Sequence, residues 1–196
     1  MVKIVLTGFG KFGKIIENPT TRLVELLKNN DQIHDFRVIE VSAGAVRETM
    51  EPLWEDAANS QETTVFVHLG VSEKAPHILL EKVGYNVANF SIPDERGWVA
   101  NNATIVEKEE DSFETTLPIE KMEAQLLEKS CNVSISTDPG RYICNYIYYL
   151  SLTHSKHSAN KNQHSLFVHV PLFSTIAEEE QLRTIEALIS TIQTIL

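Results

Sequence analysis

Short apolar runs alternate with helix-like segments along this chain, and that alternation limits the folds open to it. Three runs, at residues 2–6, 63–69 and 165–170, are mainly apolar, and glycine or proline follows each within two residues. Runs of this length bounded by turn residues are typical of strands that are covered on both faces. A sheet of such strands needs helices on each side, so the chain is predicted to be an α/β protein.

The segments between these runs complete the pattern. Asn18 and Pro19 suit the N-cap and first position of a helix. Further helices are predicted at residues 43–58, 118–128, 143–153 and 177–195, and further strands at 36–41, 78–87 and 133–136. We therefore predict a single domain over residues 1–196, a three-layer α/β/α sandwich with a mostly parallel, mixed central sheet. Residues 91–116 are expected to be an excursion from that core.

The charge and apolar content argue against several classes of partner. A net charge of −10 is unfavourable for binding nucleic acid or an anionic membrane surface. No stretch reaches the roughly 18–20 consecutive apolar residues that a membrane span needs. The N-terminal segment lacks the long apolar region and cleavage site of a signal peptide, so a cytoplasmic protein is expected.

The chain has only two cysteines, Cys131 and Cys144. A disulfide framework is not expected in a cytoplasmic chain of this size. The two cysteines do not form a CxxC pair, and no Cys/His spacing resembles a zinc site. We predict no metal and no cofactor.

Cys144 is the first candidate catalytic residue. It follows the turn TDPG and lies where an apolar helix is predicted to begin. Unpaired N–H groups and the positive end of the helix dipole favour the thiolate, which is the nucleophilic form of cysteine. The same N–H groups could stabilise an oxyanion. The alternative from position alone is a small buried helix residue, since free cysteines are often buried.

His169 and Glu81 are candidate partners of Cys144. His169 is near the end of an apolar strand, and ligands of open α/β sheets bind beyond the C-terminal ends of strands. His68 has a similar position on another strand, and spacing alone does not choose between the two. Glu81 follows an apolar run, where a carboxylate needs a partner such as a histidine N–H. A buried histidine bonded to backbone and a structural salt bridge are the alternatives for His169 and Glu81.

The segment GFGKFG, residues 8–13, follows the first strand and precedes the first helix. Its spacing matches neither GxGxxG nor GxxxxGK[ST], which disfavours a phosphate-binding loop. Phe9 and Phe12 on such a loop suit an apolar pocket for a flat, neutral group.

Five strings, taken in chain order, resemble pyroglutamyl peptidase type I. They are LTGFGKFGKIIENPT, LLEKVGYNV, SIPDERG, STDPGRYICNYIYYLSL and SLFVHVPLF. The resemblance spans nearly the whole chain, from the first strand to the last. Its most specific part is GRYICN–YYLSL followed by FVHVP.

The resemblance implies a Cys–His–Glu triad, and it selects His169 over His68. The triad residues carried over to this chain are Cys144, His169 and Glu81. The resemblance also implies a pocket for the pyroglutamyl ring, whose substrate-binding residues here are Phe9, Phe12, Asn18 and Ile143. Asn18 would support the loop that carries the two phenylalanines.

The activity implied is that of a cysteine-type omega peptidase. It would hydrolyse the bond after an N-terminal pyroglutamyl residue of small peptides, through an acyl-enzyme. The alternative is a catalytically impaired family member that binds such peptides, and the departures from the family pattern at Lys11 and Glu73 keep it open. The resemblance is compatible with a monomer or a homo-oligomer, since relatives occur as both.

Overall fold

The computed structural model describes residues 2–196, which form ten strands and five helices. The strands are β1 (Lys3–Phe9), β2 (Asp35–Ile39), β3 (Thr64–Val71), β4 (Ile78–Glu81), β5 (Val83–Tyr85), β6 (Val87–Ala88), β7 (Ala103–Thr104), β8 (Ser112–Glu114), β9 (Val133–Ser136) and β10 (Gln163–Val170). The helices are α1 (Pro19–Leu27), α2 (Ala43–Asn59), α3 (Ile119–Glu128), α4 (Ile143–His157) and α5 (Glu178–Ile195). Within these residues no helix is long and apolar enough to cross a membrane.

Six of the strands form one sheet in the order β2-β1-β3-β10-β4-β9. β1 pairs in parallel with β2 and with β3, β3 pairs in parallel with β10, and β4 pairs in parallel with β9. β4 runs antiparallel to β10. The prediction of a mostly parallel, mixed sheet is therefore confirmed.

A hydrophobic core on each face of this sheet produces the three layers. Helices α1, α3 and α5 supply apolar residues to one core, and α2 and α4 supply them to the other. The strands divide their side chains between the two. In β10, Leu166 and Val168 belong to the first core and Phe167 to the second. Both faces of the central strands are covered, which explains their nearly continuous apolar sequences.

The antiparallel pair β4–β10 determines which polar side chains meet on the face of the sheet that α2 and α4 cover. Phe167 pairs with Glu81, and His169 pairs with Leu79. Side chains opposite each other in an antiparallel pair point to the same face, so Glu81 and His169 are diagonal neighbours on one face. Phe167 lies on that face and packs in the core that α4 covers.

Residues 78–87, predicted as one strand, form three short strands instead. The chain leaves the central sheet after Glu81, because β5 pairs with β8 and β6 with β7. These small sheets use residues of the 91–116 excursion. The excursion packs on α4, where the Phe113 ring stacks on Tyr149 with the centroids 5.5 Å apart. The helix α4 itself extends to His157, beyond its predicted end near residue 153.

Candidate active site

Cys144 is the second residue of α4, at a helix start that no side chain caps. Tyr142 occupies the N-cap position and its side chain makes no capping hydrogen bond. The starts of α1 and α2 differ, since the side chains of Asn18 and Ser42 cap them. The first-turn N–H groups of α4 therefore lack both an intrahelical acceptor and a side-chain cap beside the thiol.

His169 and Glu81 contact each other next to this helix start. The Nδ1 of His169 and the Oε1 of Glu81 are 2.7 Å apart. Glu81 is fully buried and His169 is 7% exposed. Cys144 lies near enough to the His169 ring to raise its pKa. Because Glu81 occupies Nδ1, Nε2 is the nitrogen that remains for the thiol.

The environment of His169 raises its pKa. Burial acts to lower it, because a buried site disfavours the charged imidazolium. Hydrogen bonds and charge interactions with Cys144 and Glu81 outweigh burial and raise the pKa of His169 to about 9. The imidazolium is therefore the expected form at neutral pH, and it is suited to stabilise a neighbouring thiolate.

Gly70 is a site residue that the sequence analysis missed. A β-carbon at this position would lie 2.9 Å from the Sγ of Cys144 and 2.5 Å from the Cζ of Phe167. Only glycine lets β3 pass so close behind the thiol. Gly70 was expected to follow the strand, but β3 continues to Val71. A glycine inside a strand often marks a close approach, and that was the available signal.

A narrow apolar cavity lies beside Cys144. The four residues predicted to bind substrate all line it, and they are Phe9, Phe12, Asn18 and Ile143. The remaining lining residues are Val41, Val71, Tyr142 and Cys144. The site residues predicted from the sequence therefore lie together, although they come from β1, the loop after it, α4, β4 and β10.

Asn18 holds the loop that carries Phe12. Its Nδ2 donates to the Gly10 carbonyl at 2.9 Å, and its Oδ1 accepts from the Thr20 N–H at 3.0 Å. The Thr20 hydroxyl also donates to Oδ1, at 2.9 Å. Both ends of the amide are thus engaged within the protein, so Asn18 shapes the cavity through the loop.

Tyr142 is a second residue that the sequence analysis missed. Its ring lies 6.2 Å from that of Phe12 and 4.8 Å from that of Phe90, measured between centroids. Its hydroxyl donates to the Pro93 carbonyl at 3.0 Å. Tyr142 therefore connects the cavity wall to the SIPDERG segment. Its position directly before the predicted start of α4, two residues before Cys144, was its sequence signal.

The SIPDERG segment is itself fixed by charged contacts. Arg96 donates to Glu40 and to Glu48, each at 2.6 Å. Glu95 accepts from the Gly13 N–H at 3.2 Å, which links the segment to the glycine-rich loop. One wall of the cavity thus depends on residues far from it in sequence.

His68 is engaged elsewhere. Its Nδ1 is 2.8 Å from the Thr7 hydroxyl and its Nε2 is 2.9 Å from the Ser151 hydroxyl. Complete burial lowers the pKa of His68 to about 3, so the ring is neutral. Both nitrogens are occupied, which leaves neither for the thiol.

Cys131 is buried in the other core. Among residues 2–196 no group of three or more potential ligand side chains is arranged to hold a metal ion.

Comparison with known proteins decides the family. The family model described as pyroglutamyl peptidase matches residues 2–192. The chain belongs to the pyroglutamyl peptidase family. It is therefore a hydrolase of the cysteine peptidase class.

Relatives within the pyroglutamyl peptidase family cover most of the chain. The pyrrolidone-carboxylate peptidase of Pyrococcus furiosus is 33% identical over 175 residues, which are 87% of this chain and 81% of that protein. The enzyme of the same name from Enterobacter sp. (strain 638) is 32% identical over 171 residues, covering 87% of this chain and 78% of its own.

Solved structures of the family have the same fold. The pyrrolidone carboxyl peptidase of Fervidobacterium islandicum AW-1 superposes with a TM-score of 0.87 at 27% identity, and the match covers 100% of both chains. A mutant of the Pyrococcus furiosus enzyme superposes with a TM-score of 0.85 at 29% identity, covering 99% of this chain and 100% of that one.

The first prediction concerns the pH dependence of this family member. Because the pKa of His169 is raised, the imidazolium persists up to about pH 9 and is lost above it. We expect kcat/KM to fall on the alkaline side near pH 9. Glu81→Gln removes a charge that raises this pKa, so the alkaline limb should move to lower pH and kcat should fall about tenfold or more. An unchanged profile and rate in Glu81→Gln would remove this carboxylate from the site.

The second prediction concerns Gly70. The β-carbon of Gly70→Ala must displace the Sγ of Cys144, so kcat/KM should fall by about 10²-fold. Thermal unfolding should also show a loss of stability, because the same β-carbon overlaps Phe167. The double variant Gly70→Ala/Phe167→Leu relieves that second overlap. It should regain stability without regaining activity, and recovery of both would contradict the role assigned to Gly70.

Proposed function

We propose that this chain hydrolyses the bond after an N-terminal pyroglutamyl residue, with Cys144 as nucleophile, His169 as general acid and base, and Glu81 as the residue that orients His169. The observation that carries the proposal is the paired environment of His169. Its Nδ1 lies 2.7 Å from the buried carboxylate of Glu81, and interaction with Cys144 raises the pKa of the same ring. This arrangement of nucleophile, base and orienting group is that of nucleophilic acyl transfer.

The chemistry proceeds in two steps. The Cys144 thiolate attacks the carbonyl carbon of the pyroglutamyl residue, and a C–S bond forms. The tetrahedral adduct collapses as the C–N bond breaks, and the His169 imidazolium gives its proton to the departing amine. A water molecule then attacks the thioester while neutral His169 accepts its proton. Free pyroglutamate leaves, and the thiolate–imidazolium pair is restored.

The start of α4 supplies a place for the oxyanion. The N–H groups of its first turn have no acceptor in the helix, and no side chain caps them. They carry the positive end of the helix dipole, next to the carbon that Cys144 attacks. Negative charge that develops on the carbonyl oxygen is stabilised there without reorganisation of the protein.

The cavity beside Cys144 fits a neutral lactam better than a free amino terminus. Its walls are mainly apolar, and none of its lining residues is acidic. A peptide with an ordinary N-terminal ammonium group would leave that charge unpaired against Phe9, Phe12 and Tyr142. The pyroglutamyl ring is flat and uncharged, so it avoids that cost. Selection therefore comes as much from rejection of the charged terminus as from contact with the ring.

The cavity must widen to admit the ring. Its volume is ≈ 20 Å³, which is enough for about one water molecule. Phe9 is buried at 2% exposure, whereas Phe12 is partly exposed on a loop whose neighbouring residues are exposed. We infer that Phe12 is the wall that moves when substrate binds.

The third prediction tests the proposed chemistry. The wild-type protein should release the fluorophore from a pyroglutamyl amide in the presence of a chelator, and iodoacetamide should abolish the release. Mass spectrometry should find alkylation at Cys144 well before the buried Cys131, which serves as an internal control. Cys144→Ser should retain binding but lose most turnover. A wild type that binds a pyroglutamyl peptide and never releases product would refute the proposed function.

The fourth prediction tests the pocket. Phe12→Ala removes apolar contact with the ring in both the ground state and the transition state, so KM should rise roughly tenfold with a smaller change in kcat. Phe36→Ala is a suitable control, because Phe36 is 41% exposed on β2 and does not line the cavity. Equal effects of the two substitutions would argue against Phe12 as a pocket wall.

A further inference from the structure

Tyr148 lies on α4 one turn after Cys144, so the two side chains are on the same side of the helix. Its ring is fully buried and packs beside Phe167, with the centroids 5.9 Å apart. Its hydroxyl donates to the backbone carbonyl of Glu81 at 2.7 Å. The helix that carries Cys144 is therefore bonded directly to the residue that contacts His169.

The place of Glu81 in the chain distinguishes this hydrogen bond from an ordinary one, since a buried tyrosine hydroxyl usually finds some acceptor. Glu81 is the last residue of β4, and the chain leaves the central sheet after it to form β5. Asn145 holds the segment that follows. It accepts from the Tyr85 N–H at 2.8 Å and donates to the carbonyls of Tyr85 and Val87 at 2.8 and 3.0 Å. The first two turns of α4 thus bind the backbone at three of the residues from 81 to 87.

The carboxylate of Glu81 depends on the position of its own backbone. Its Oε1 is 2.7 Å from the Nδ1 of His169, and its Oε2 has no hydrogen-bond partner among the residues that the structure describes. No second hydrogen bond therefore fixes the direction of the carboxylate. A backbone shift of about 0.5 Å away from the imidazole would stretch the contact to the limit of the normal hydrogen-bond range.

The Tyr148 hydroxyl remains a donor over the working pH range of the site. Burial and the nearby charge of Glu81 raise the pKa of Tyr148 well above its usual value. The bond to the Glu81 carbonyl is therefore still present where the imidazolium of His169 is lost. A shift in the alkaline limb of activity then reports on His169 and not on ionisation of Tyr148.

We infer that Tyr148 is a positioning residue, whose hydroxyl holds the backbone of Glu81 at the distance from α4 at which the carboxylate meets His169. The inference rests on the proposed function, because Glu81 and His169 act together in that proposal. It adds a fourth residue, which touches neither substrate nor the reacting atoms and acts only through Glu81.

The experiment uses Tyr148→Phe, which removes only the hydroxyl, with Tyr149→Phe as its matched control. Tyr149 is the next residue of α4, is equally buried, and its hydroxyl also donates to a backbone carbonyl, that of Glu110. Both variants should unfold at a lower temperature, because each loses the hydrogen bond of a buried hydroxyl. Only Tyr148→Phe should lower kcat toward a pyroglutamyl amide, by about fivefold with KM nearly unchanged.

The pKa of His169 is the readout that a merely structural role would not move. Burial lowers this pKa, and interactions with Cys144 and Glu81 together raise it to about 9. In Tyr148→Phe the looser carboxylate should raise it less. The alkaline limb of kcat/KM, and the NMR titration of the His169 ring, should both move to lower pH. Tyr149→Phe should match the wild type in both measurements.

The outcomes separate this inference from the proposed function. If Tyr148→Phe loses stability as Tyr149→Phe does, yet keeps the wild-type kcat and the wild-type titration of His169, the inference is overturned. If the wild type releases no pyroglutamate, the proposed function fails. The NMR titration needs no substrate, so it still decides whether Tyr148 holds Glu81 against His169.

A second variant keeps the test open should Tyr148→Phe fail to fold. A β-carbon at Gly84 would lie 3.3 Å from the Cδ1 of Tyr148 and 2.9 Å from the Cδ1 of Leu152. Gly84→Ala should therefore push β5, and with it the end of β4, away from α4 while leaving the hydroxyl in place. The His169 titration should again move to lower pH, and an unchanged titration in this variant would count against the inference.

Discussion

The contact between Glu81 and His169 is the constraint around which the rest of the site is arranged. A carboxylate with no exposed surface is costly unless a partner compensates its charge, and here the partner is one imidazole at 2.7 Å. The second oxygen of Glu81, Oε2, has no hydrogen-bond partner among residues 2–196. Pairs of this kind seldom add stability over well-packed apolar residues. The chain retains a costly arrangement in its core, which fits a role in orienting His169.

The fold supplies that arrangement through one exception to its parallel topology. In the antiparallel pair β4–β10, Glu81 at the end of β4 lies opposite Phe167, two residues before His169. Because β4 is antiparallel, its last residue, Glu81, is a diagonal neighbour of His169 on the face beneath α4. The uncapped start of α4 then brings Cys144 to the same place. Gly70 permits the close approach that this requires.

Residue patterns predicted the layers of the fold, but they did not identify all the residues of the site. Apolar runs and helix periodicity were enough to predict the three layers. Asn18 was predicted to cap the first helix, and its side chain does cap α1. The choice of His169 over His68 required the family resemblance, since both histidines lie in similar apolar runs. In the structure, hydrogen bonds to Thr7 and Ser151 occupy both nitrogens of His68. These partners are distant in sequence, so no local pattern reveals them. Gly70 and Tyr142 were missed because their importance comes from tertiary contacts with Cys144, Phe167 and Phe12.

The position of β10 in the sheet has a consequence for the order in which the protein assembles. This strand lies between β3 and β4, although it is the last strand in the chain. β3 and β4 cannot be joined in one sheet until β10 has been synthesised. This joining requires pairing over long sequence separations, which is slow. His169 arrives with that strand, and Glu81 gains its partner only then. During synthesis on the ribosome, the contact between Glu81 and His169 therefore forms only when β10 joins the sheet.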